Sequence, residues 1–119
     1  MEYLFKDYYS KRRLVMGDLK ALYIIVNSGF SSEIVDIARS CGATGATIFN
    51  ARGSVPNPKT IFGITIDTEK EIILSIAKKD VAIKIMEAVK EKAGVGTAAH
   101  GLCFYLPVEM STLNEQQQL

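Results

Sequence analysis

Two runs limit the possible folds of this chain more than any other feature: LYIIV at residues 22–26 and IILSI at residues 72–76. Side chains alternate faces along a strand with a period of two, so a strand wet on one side alternates apolar with polar. These do not. Leu22, Tyr23, Ile24, Ile25 and Val26, like Ile72, Ile73, Leu74 and Ile76, are apolar toward both faces. Leaving half a dozen such side chains in water would forfeit about 1.5–3 kcal/mol apiece, a sum comparable with a domain's whole stability of about 5–15 kcal/mol. Both runs therefore belong in a sheet covered on both sides.

The residues between these runs set the order of elements. A strand over residues 19–26 ends at the turn signal Asn27-Ser28-Gly29. Ser31 or Ser32 then N-caps a helix over 32–41, whose apolar residues Ile34, Ile37, Ala38 and Cys41 recur at helical spacing, with Gly42 just beyond it. Residues 44–51 read as a second strand. RGSVPNPKT follows as a loop, because Gly53, Pro56 and Pro58 break both regular structures, and 61–66 form a short strand within this arm. A third strand covers 71–77. Asp80 caps a helix reaching Ala93, with Val81, Ile85, Ala88 and Val89 on one face and Gly94 ending it, and Glu87 and Lys90 make a small surface pair. A fourth strand covers 102–106.

The resulting β-α-β-β-α-β order predicts an α+β ferredoxin-like fold: an antiparallel sheet with two helices on one face. Two helices cover only that face. The apolar surface opposite predicts a homo-oligomer whose sheets face one another, the alternative being an N-terminal leader folded back over it. With 119 residues the chain is expected to hold one core, with an extension at 1–17, a domain at 18–110 and a polar tail at 111–119.

A formal net charge of +1 leaves no electrostatic footprint for nucleic acid or an anionic membrane. Cys41 and Cys103 are far apart in apolar stretches, as buried free thiols are, which predicts a reducing, cytoplasmic setting. The leader mixes charges with tyrosines where a signal peptide needs an apolar run, and no segment approaches about 18 apolar residues, so no membrane insertion is expected.

Catalysis and metal binding draw little support. His100 is the single histidine, no nucleophilic triad can be placed, and one His with two remote Cys does not make a zinc site. Glu69, Glu71, Glu87 and Glu91 read as solvated faces. The loop from Gly94 through Gly96, Thr97 and His100 to Gly101 is richer, since small residues let backbone N–H groups close around an anion. It follows a helix and enters a strand, the reverse of a dinucleotide fingerprint, and a helix cap plus a turn accounts for it equally well. Thr47 offers a hydroxyl to a heterocycle and Gly53 a close backbone approach. Each taken singly also fits an ordinary strand residue and a turn glycine.

Taken together, GATGATIFNARG, KTIFGITIDTEKEIILSIA, DVAIKIMEAV and the glycine loop running into GLCFYL resemble the P-II family of nitrogen regulatory signal proteins. The likeness spans residues 19–108 and is closest to members with a shortened loop between strands two and three. It implies a compact homotrimer with an adenine nucleotide in each cleft between subunits, acting in signal transduction and not in catalysis. Thr47 and Gly53 match the family's adenine pocket, and Gly94, Gly96, Thr97, His100 and Gly101 fall in its phosphate-cradling loop. The arm over 52–70, with Arg52, Val55, Asn57, Lys59 and Phe62, would reach a target such as a transporter or metabolic enzyme.

Two departures from that pattern matter. Leu102 stands where the family carries a lysine, and PVEMSTLNEQQQL lacks its phosphate-clamping arginines. Charge-assisted contacts are about twice as strong as neutral ones, so ADP or AMP, or a small anion held by backbone alone, becomes a better candidate than ATP, with Arg52, Lys59 and His100 compensating in part. Residues 52–60 hold no tyrosine to accept uridylylation. The rival readings are a metal-responsive trimer of the divalent-cation tolerance type and an enzyme on the same superfold.

Overall fold

The two doubly apolar runs lie at the centre of a single sheet. In the computed structural model, which describes residues 18–54, 60–61, 64–65 and 68–113, the elements are β1 (Leu19–Asn27), α1 (Ser31–Ser40), β2 (Thr47–Gly53), β3 (Thr60–Ile61), β4 (Ile64–Thr65), β5 (Thr68–Lys78), α2 (Lys79–Ala93) and β6 (Leu102–Pro107). The main sheet runs β2-β5-β1-β6 with every pairing antiparallel. β1 and β5 are thus the inner strands, each flanked on both edges, where continuous apolar runs fit best. The observed order of elements and both helices agree with the ferredoxin-like arrangement.

The core lies between the sheet and the helices. Leu22, Ile24, Val26 and Ile73 are fully buried against Ile34 of α1 and Ile85 and Val89 of α2. Ser75 is buried among them and donates its hydroxyl to the Gly45 carbonyl at 3.1 Å, which satisfies both groups and ties the segment before β2 to the sheet. The opposite face carries Tyr23, Ile25, Ile72, Leu74 and Ile76, all half-buried, with Phe49, Leu102, Phe104 and Leu106 exposed around them. Tyr23 and Phe104 stack there at 5.4 Å.

Several boundaries differ from the sequence reading, each for a local reason. α1 begins at Ser31, and neither Ser31 nor Ser32 caps it: the chain turns from Asn27 directly into the helix, with Phe30 at the N-cap and its carbonyl accepting the Ile34 N–H. Gly42 does take the left-handed conformation after the helix, at φ +108°. Asp80 lies inside the first turn of α2 and makes no side-chain cap, so it contributes only its charge near the positive end of the helix dipole. β2 starts at Thr47 rather than Thr44 and extends through Gly53, which pairs with Thr68. β5 is correspondingly longer than 71–77, because nine residues of β1 and seven of β2 align with it. The single arm strand expected over 61–66 is instead a small antiparallel pair, Thr60 facing Thr65 and Ile61 facing Ile64. The two cysteines are half-buried rather than buried. The extension at 1–17, residues 114–119 of the tail and the arm residues Val55, Asn57, Lys59 and Phe62 lie outside the described residues.

Candidate functional site

The glycine loop is built by its own backbone. Gly101 N–H donates to the Ala93 carbonyl at 2.7 Å, and Gly94 and Gly101 form a parallel bridge that closes the loop at its neck. A Cβ on Gly101 would lie 2.5 Å from the Ala93 carbonyl oxygen, and one on Gly94 2.6 Å from that of Lys90. Both positions thus require glycine for close approach, and Gly94 ends α2 as expected, in an extended conformation with φ −75° and ψ −172°. The turn inside the neck is Thr97, whose N–H and hydroxyl both reach the Gly94 carbonyl at 3.0 and 2.7 Å. Gly96 takes φ +97°, and exposed His100 adopts φ +51°, a conformation uncommon outside glycine.

One asparagine joins this loop to the sheet. Asn27, the last residue of β1, donates its backbone N–H to Ala99 O and its side-chain Nδ2 to Ala98 O, both at 2.9 Å. Its Oδ1 accepts from Lys70 Nζ at 2.6 Å. The Lys70 stem runs beside Gly53, where an added Cβ would meet Lys70 Cε at 3.2 Å. The glycine loop, Asn27, Lys70 and the base of the arm therefore meet at one end of the sheet. Neither Asn27 nor Lys70 stood out in the sequence, where Asn27 reads as a turn residue and Lys70 as one charge in TEKE.

The predicted residues are only partly gathered. Gly53 belongs to this end of the sheet, whereas Thr47 pairs with Leu74 at mid-sheet, six residues and about 20 Å of strand away. Thr47 is exposed and shares the open face with Phe49. One adenine ring cannot touch both Thr47 and Gly53 of the same chain. Arg52 faces Glu69 across the strand pair and lines a polar cleft of about 430 Å³ with Ser28, Asn50, Glu69 and Lys70. Glu71 is not simply solvated: it is half-buried and accepts the Gly29 N–H at 2.6 Å.

A larger groove of about 820 Å³ runs from the glycine loop along β6 and α2, a volume within the usual range for small-molecule sites. Ile83, Met86, Val95 and Leu102 make it apolar, with Glu87 and Lys90 at its margin. Leu102, immediately after Gly101, places a hydrocarbon beside the loop. Cys103 also lines the groove, and burial raises its thiol pKa. Among the described residues, no group of three or more His, Cys, Asp or Glu is placed to hold a metal ion, and no helix is long and apolar enough to cross a membrane.

No family model and no curated protein matches the chain. Solved structures do. A PII-like signalling protein of Thermus thermophilus aligns over 78% of this chain and 88% of its own at 24% identity, with a TM-score of 0.57. GlnK of B. subtilis in complex with ATP covers 76% of this chain and 82% of its own at 16% identity, TM-score 0.58. CPII, a nitrogen regulatory PII-like protein of Thiomonas intermedia bound to ADP, AMP and bicarbonate, covers 82% and 94% at 19% identity, TM-score 0.59. The chain has the fold of PII-like signalling proteins.

Proposed function

We propose that this chain is a PII-like signalling protein, a cytoplasmic, non-enzymatic homotrimer that binds an adenine nucleotide between subunits and uses its arm to regulate a target transporter or metabolic enzyme. The observation that carries this reading is the meeting of the glycine loop with the base of the arm at one end of the sheet, through Asn27 and Lys70. A ligand held by the loop is thereby placed to alter the arm. It does so only by binding one arm conformation better than another.

The apolar open face supports assembly, since trimer formation would cover Phe49, Phe104 and Leu106. The separation of Thr47 from Gly53 supports a cleft between chains: each site would take Thr47 from one copy and Gly53 with the glycine loop from the next. The nucleotides on GlnK and CPII make ATP, ADP and AMP the ligands to compare. Leu102 beside the loop favours ADP or AMP, because the triphosphate needs more cationic partners than this loop supplies. Likeness to CPII, a nitrogen regulatory PII-like protein, supports a role in nitrogen regulation.

Calorimetry of the purified oligomer with ATP, ADP, AMP and cyclic AMP tests the nucleotide. We expect ADP or AMP to bind more tightly than ATP. No heat of binding from any of the four would sink the proposal.

A further inference from the structure

We propose that Asn27 is the positioning residue that couples the glycine loop to the arm. The inference rests on the functional reading above, but the coupling itself is a property of the free protein. An asparagine side chain offers one carbonyl acceptor and one amide donor on opposite sides of a planar group. Lys70 can only donate and the Ala98 carbonyl can only accept, so the two partners fix the amide in one orientation. The backbone N–H of the same residue holds Ala99 at 2.9 Å. Asn27 therefore secures two consecutive loop residues on one side and the Lys70 ammonium on the other.

Lys70 carries the connection onward. Its stem lies against the face of Gly53, the last residue of β2 and the point from which the arm departs. A shift of Ala98 turns the Asn27 amide, weakens its hold on Lys70 and loosens the packing over Gly53. The same path runs in reverse, since coupling between two sites is reciprocal. Asparagine serves both partners, whereas aspartate keeps Lys70 but cannot donate to Ala98 O, and alanine keeps neither.

Amide hydrogen exchange on the full chain tests this without ligand. Asn27→Asp should raise exchange over residues 97–101 by about three- to tenfold while leaving 52–54 and 68–70 at the wild-type rate. Asn27→Ala should raise both segments. Lys70→Met should raise exchange in the glycine loop, because the Asn27 amide loses the partner that orients it. An unchanged loop in Lys70→Met, or equal effects of Asn27→Asp on both segments, would overturn the role of Asn27 as the link. Circular dichroism confirms folding, and near-isosteric Asn27→Asp together with the strand-end Lys70→Met keeps the test available if Asn27→Ala does not fold. Calorimetry with ADP on the same proteins separates the two proposals. Absence of ADP binding by the wild type counts against the nucleotide while leaving the exchange result to stand. ADP binding without any exchange coupling overturns the role of Asn27 alone.

Discussion

Gly101 shows how little freedom the candidate site allows at single residues. Its Cβ position lies 2.5 Å from a backbone carbonyl, which no side-chain adjustment can relieve. Gly101→Ala should therefore destabilise the protein by about 1–3 kcal/mol in urea denaturation, as backbone is forced apart. His100 has the opposite problem, holding a side chain at φ +51°. His100→Gly should leave stability nearly unchanged, because relieved strain is offset by added freedom in the unfolded chain. His100→Val should cost about 1–2 kcal/mol by the same denaturation measurement, since a β-branched residue fits that conformation poorly. The sequence showed that glycine was wanted at 94 and 101. It did not show whether a ligand or the protein's own backbone occupied the space, and the close approach to Ala93 and Lys90 supplies the second reason.

At the scale of elements, the groove between α2 and β6 sets the behaviour of Cys103. Burial raises its pKa, so less of it is thiolate, the reactive form, at any pH near 8. Its alkylation there should be slower than that of free cysteine, measured on Cys41→Ala protein. The same shift has a consequence for stability. As pH rises through the ordinary thiol value of 9.0, the unfolded chain loses this proton before the folded one does, so stability falls; Cys103→Ala should remove that part of the slope. Ser75 on β5 belongs at this scale as well. Ser75→Ala should cost about 1 kcal/mol in the same denaturation experiment by leaving the Gly45 carbonyl without its partner. Strand and helix existence was legible from apolar spacing and from Gly and Pro. Their ends were not: β2 ends at Gly53 because β5 offers Thr68 opposite it, and a partner strand is invisible to a local reading.

For the whole molecule the open sheet face is decisive. Phe104, on the edge strand β6, stacks on Tyr23 of the inner strand β1, with Leu106 further along β6. Phe104→Asp should convert the proposed trimer into monomers at micromolar concentration, read by light scattering, while far-ultraviolet dichroism stays that of the folded domain. Wild type monomeric under those conditions would remove the assembly on which the intersubunit cleft depends. The sequence by itself determined the order of the four main strands and two helices and the need to cover a second apolar face, because these depend on side-chain periodicity and on the cost of wet hydrocarbon. Only the tertiary structure decided that Gly53, and not Thr47, lies at the end of the sheet where the glycine loop sits, and that Asn27 and Lys70 join that loop to the arm. Those relations depend on strand register, which brings together residues 43 positions apart in the chain and which no local pattern encodes.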